Sequence, residues 1–158
     1  MEKFIGFFRS VSYLFFLAAL LWSYAYMVGQ ADYGLGIDGD VPLIDRNVYF
    51  FAGLAIFLFA NLSITWFLKS LKKIKATEEG KGLRNYSLKQ DLLIWFKGFG
   101  GLVNLVLSLI MFFVGLMNLS ESRDAFTLSF YVYLGPILLV AWFVYLAIIL
   151  TKNRTVSN

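Results

Sequence analysis

Four stretches of this chain, 11–28, 48–68, 98–119 and 126–150, contain no Asp, Glu, Lys or Arg. A helix needs about 20 such residues to cross the hydrocarbon core of a bilayer. Lipid offers no partner to backbone N–H and C=O groups, and a helix satisfies them within itself. The pattern predicts an all-α membrane protein: a four-transmembrane-helix antiparallel bundle forming a single domain over 1–158. An external loop at 29–47 and a basic cytoplasmic loop at 69–97 join its spans, and the turn after the third is short. Hydrophobic residues are 59% of the 158, which leaves too little polar chain for a separate soluble domain.

Charge sets the expected orientation. Of the 14 Lys and Arg residues, only Arg46 and Arg123 lie in the first and third loops. The other twelve fall in the N-terminal tail (Lys3, Arg9), the 69–97 loop and the C-terminal tail (Lys152, Arg154). By the positive-inside rule both termini are cytoplasmic, an N-in/C-in arrangement. Trp22, Tyr24, Tyr26 and Tyr49 are expected in an outer aromatic belt, with Tyr131 and Tyr133, and Trp66 and Trp95 in an inner one. Lys3 and Arg9 before an apolar run also resemble a signal peptide. That run is long and rich in Phe, Trp and Tyr, so it is read as a retained span.

The chain contains no cysteine and no histidine. It therefore supplies no disulfide, no thiolate, no histidine ligand for haem or zinc and no imidazole proton shuttle. Phosphate-cradling loops, nucleophile elbows and paired catalytic carboxylates are missing from the sequence as well. Asp38-Gly39-Asp40 in the first loop has the look of a calcium site, but lacks the spacing and closing Glu of an EF-hand and reads as a solvated turn. The Glu121–Asp124 turn is too short to form a dry active site. No enzyme activity, cofactor or metal is expected. The net charge of +4 belongs to membrane orientation and not to nucleic acid.

The third span has one distinctive face. Stepping from Lys97 by four and three gives Gly101, Asn104, Ser108, Met111, Gly115 and Asn118, and Gly100 lies beside this line. A repeat of four and three keeps a face against a partner helix. Small residues let backbones approach, and Asn and Ser hydrogen-bond across the gap. Three uses compete: packing in the chain's own bundle, for instance against Ala52, Ala60, Ser63 or Thr65; docking onto another subunit; and lining a crevice for a solute. Asn61 and Thr65, one turn apart on the second span, form a second polar pair suited to helix packing or ligand contact. Pro136 is expected to kink the fourth span, since it removes a backbone hydrogen bond.

The cytoplasmic loop is expected to prolong span two as helix to about Lys75, and to start span three with Ser87 as its N-cap. Lys69, Lys72, Lys73 and Lys75 are candidate contacts for anionic lipid, although every inner loop tends to be basic. No ionisable residue is expected inside the membrane core, with Lys97 at its inner edge. Together these features predict a non-catalytic accessory or scaffold subunit of a larger complex in the inner membrane of a bacterium. Its expected partners are membrane lipids and other membrane subunits or further copies of itself. A small transporter or channel completed by homo-oligomerisation is the alternative, and a lipid-binding membrane protein the third.

Overall fold

The structure, a computed structural model, describes residues 2–28, 45–77, 85–117 and 125–155. Four helices account for nearly all of them: α1 (Glu2–Val28), α2 (Arg46–Lys73), α3 (Tyr86–Met117) and α4 (Ala125–Thr155). They are 27 to 32 residues long. At about 1.5 Å per residue, each exceeds the thickness of the hydrocarbon core. Each also holds a stretch apolar enough to cross a membrane: Lys3–Ala25, Arg46–Lys73, Tyr86–Val114 and Tyr133–Lys152.

The helix ends follow from local chemistry. Asp45 caps α2, its carboxylate accepting the N–H of Asn47 at 2.8 Å and of Val48 at 3.2 Å. The helix stops at Lys73, two residues before the expected Lys75, where Ile74 turns extended. The α3 cap is Asn85 and not Ser87. Its Oδ1 accepts the Leu88 N–H at 3.1 Å, and a backbone bridge from Tyr86 N–H to Thr77 O holds it at the helix entrance. A cap must lie outside the helical turn it closes, and Ser87 is already inside α3. Lys89 of α3 then reaches back to α2, donating to Lys72 O at 3.1 Å and Ile74 O at 2.6 Å.

The third helix is the hub. It contacts α1, α2 and α4, whereas α4 contacts α3 alone among the described residues. Of the α3 span 39% is buried, against 11% for α4. Apolar surface alone does not hold helices together in lipid, so close fit and polar contacts must. Against α1, a Cβ placed on Gly101 would lie 2.7 Å from the Phe8 ring and 3.3 Å from Arg9 Cα. Only glycine admits that backbone approach. The facing stripe of α1, Ser12, Phe16, Leu20 and Ser23, is buried to 1% exposure or less. Phe16 stacks on Phe57 of α2 with ring centroids 4.2 Å apart, and Tyr13 meets the same ring edge-on.

A second aromatic cluster joins α3 to α4. Trp95 is 2% exposed, packs among Phe99, Trp142 and Phe143, and donates its indole N–H to Trp142 O at 3.1 Å. Trp142 lies over Gly98, where a Cβ would come within 2.6 Å of its ring. Trp95 and Tyr49, both expected in interfacial belts, are thus interior residues: each found a backbone carbonyl for its polar atom. Trp66 and Tyr133 remain exposed. The α4 helix runs through Pro136 without a break, and Gly135 beside it faces Val106.

Candidate functional site

The polar seam of α3 lies inside the bundle from Gly101 to Met111. Asn104 is fully buried and meets two helices at once. Its Nδ2 donates to Ser12 Oγ of α1 at 3.3 Å and to Asn61 Oδ1 of α2 at 3.3 Å. In return, Asn61 Nδ2 donates to Asn104 Oδ1 at 2.7 Å, and also to Phe57 O at 2.9 Å within its own helix. Ser12 completes the cluster by donating to Arg9 O. One turn on, Ser108 donates to Asn104 O at 2.7 Å.

The next residue of the seam is used through its backbone. Ser23 of α1 and Tyr49 of α2 both donate to Met111 O, at 2.7 and 3.2 Å. The Met111 side chain fills the notch at Gly53, where a Cβ would stand 2.9 Å from Cε. Of the α2 residues expected to face this seam, Ala52 and Ser63 are exposed. Asn61, Gly53 and Tyr49 meet it instead. Gly115 belongs to α3, while Asn118, the first loop through residue 44 and the Glu121–Asp124 turn lie outside the described residues.

Thr65 belongs to a different cluster from Asn61. It accepts a hydrogen bond from Arg9 Nη2 at 3.1 Å, and Arg9 Nε donates to Tyr13 Oη at 3.0 Å. The sequence placed Arg9 in a tail; the structure places it in α1, because that helix starts at Glu2 and its span at Lys3. Nothing in the local pattern marked Arg9 as a bundle residue, since its partner is 56 positions away.

Around Arg9 the three helices enclose a cavity of about 470 Å³. Its walls carry five cations, Arg9 from α1, Lys69 and Lys72 from α2, and Lys89 and Lys97 from α3. Thr65 and Gln90 add polar groups, and Leu68, Leu93 and Ile94 add apolar surface. None of its lining residues is acidic. Lys73 and Lys75, grouped with Lys69 and Lys72 by sequence, do not line it and are exposed.

Two further hollows are apolar and open on the flanks of the bundle. One, of about 530 Å³, runs between Phe15, Ala18 and Trp22 of α1 and Leu105, Leu109 and Phe112 of α3. The other, of about 590 Å³, lies between Phe59, Leu62 and Trp66 of α2 and Phe96 and Phe99 of α3. Among the described residues no group of three acidic side chains is placed to hold a metal ion. No protein-family model, curated protein or solved structure matches the chain.

Proposed function

We propose that this chain is a non-catalytic accessory or scaffold subunit of a larger complex in the inner membrane of a bacterium. One observation carries the proposal: the buried serine and asparagine side chains among the described residues are committed to partners in the chain itself. Ser12, Ser23, Asn104 and Ser108 each make a hydrogen bond that ties helices together or caps a carbonyl. Groups used in this way fix packing and are not left to coordinate a passing solute or activate a substrate. The broad outer faces of α2 and α4, with Phe59, Leu62, Trp66, Ile137, Val140 and Val144 exposed, are then the surfaces offered to lipid and to neighbouring subunits.

The arrangement proposed is an antiparallel bundle with both termini in the cytoplasm. The contacts Phe67–Phe96 and Asn61–Asn104 support opposed directions for α2 and α3, and Gly98–Trp142 with Gly135–Val106 support the same for α3 and α4. The sorting of the twelve cations supports the orientation.

Mild solubilisation followed by native mass spectrometry tests the assignment. Co-purification of a second membrane protein at fixed stoichiometry is the expected result, and a stable solitary monomer overturns it. A transporter or channel formed by self-association instead predicts a homo-oligomer and solute flux in liposomes.

A further inference from the structure

The basic cavity between α1, α2 and α3 has a composition unusual for a helix junction. Five cations from three helices face one space of about 470 Å³ with no acidic residue in its lining. Arg9, Lys69 and Lys72 bring like charge to one partly apolar space, where repulsion is screened less than in water. An anion in the cavity removes that cost. From these placements we infer that the cavity binds the phosphate of an acidic phospholipid headgroup. The inference goes beyond a subunit role and holds whether or not the chain has protein partners.

Three features select this ligand. The first is position: the cavity lies where α2 ends and α3 begins, between Thr65 and Lys72 on one wall. Seven helical residues cover about 10 Å, enough to cross the headgroup layer, about 5–8 Å deep on each side, and reach the hydrocarbon. The second is the pairing of donors. Arg9 presents a planar fork suited to two phosphate oxygens at once, and it is held by Tyr13 and Thr65. Lys69 and Lys72 stand on the exposed side as mobile point charges. The third is the lining of Leu68, Leu93 and Ile94, which suits the glycerol and first methylenes of a lipid and gives nothing to a fully hydrated ion.

The test uses the full chain in mixed micelles of phosphatidylcholine and phosphatidylglycerol in equal parts, read by native mass spectrometry and thermal unfolding. The expected result is retention of a single phosphatidylglycerol in preference to phosphatidylcholine. The double variant Lys69→Gln/Lys72→Gln should weaken that retention roughly 30-fold, the factor for two interfacial cations. Lys73→Gln/Lys75→Gln removes the same charge from the same segment outside the cavity and should retain the lipid like the unaltered chain. Equal losses in both double variants overturn the site in favour of diffuse surface charge, and no loss in either overturns it outright. Unchanged elution and unfolding of both variants in phosphatidylcholine alone establish that each is folded. Inorganic phosphate is the final arm: stabilisation equal to that by phosphatidylglycerol overturns the lipid assignment.

Discussion

Asn61 of α2 and Asn104 of α3 exchange a reciprocal pair of side-chain hydrogen bonds, 2.7 Å in one direction and 3.3 Å in the other. A carboxamide offers both a donor and an acceptor, so two of them can satisfy each other without water. Ser12 of α1 takes a further N–H of Asn104, which makes this residue the point where three helices are registered. Single interhelical hydrogen bonds in membranes average about 0.6 kcal/mol. The cluster therefore fixes which faces meet more than it adds strength.

The two adjacent glycines of α3 should differ in their tolerance of a methyl group. At Gly101 a Cβ meets the Arg9 backbone and the Phe8 ring, and at Gly100 it meets side-chain atoms alone, the nearest being Arg9 Nε at 3.2 Å. Gly101→Ala should cost about 1–3 kcal/mol through overpacking. Gly100→Ala should cost less than about 1 kcal/mol, since alanine is the better helix former. Reversible unfolding in bicelles followed by tryptophan fluorescence measures both, and equal costs would contradict the close α1–α3 approach.

Trp95 and Trp142 make a second contrast. The Trp95 indole N–H is bonded to Trp142 O, whereas the buried Trp142 Nε1 has no hydrogen-bond partner among the described residues. Trp95→Phe should destabilise by about 1–3 kcal/mol, and Trp142→Phe by at least about 1 kcal/mol less, because it removes an unpaired donor. Hydrogen exchange along α4 is the sensitive readout, as α4 rests on α3 alone among the described residues. Faster exchange in the Trp142 variant than in the Trp95 variant would reverse the assignment.

Asn85 and Ser87 separate the true α3 cap from the expected one. Asn85→Ala should cost about 1 kcal/mol, the usual value for a lost N-cap, and speed exchange of the Leu88 amide. Ser87→Ala should change neither by more than about 0.5 kcal/mol, within the usual range for surface substitutions.

What could be read from the sequence depended on contrast. Asn104 and Ser108 stood out because the rest of the stretch between Gly101 and Gly115 is Leu, Val, Ile, Phe and Met, and their spacing already gave one face. The α1 stripe that meets them was hidden, since Phe16 and Leu20 look no different from the lipid-facing Phe15 and Leu21 when every side of a helix is apolar. Ser23 and Tyr49 carried no local sign that both would reach Met111 O. The basic cavity was legible only as a run of lysines. Its membership, with Arg9 in and Lys73 and Lys75 out, depends on three helices brought together from distant parts of the chain. Tyr49 and Trp95 misled for a related reason, because an amphipathic ring is equally suited to a headgroup and to a carbonyl inside a bundle.

The central claim is that the polar seam of α3 is spent on packing within the chain, and Asn104→Leu tests it most directly. The variant and the unaltered chain are purified side by side in mild detergent, with unfolding stability and co-purifying proteins measured on the same samples. Loss of the contacts to Asn61 and Ser12 should lower stability by about 1–3 kcal/mol, while the co-purifying proteins and their stoichiometry stay the same. Unchanged stability with loss of a bound partner would contradict the account, and would place the seam at an interface between chains.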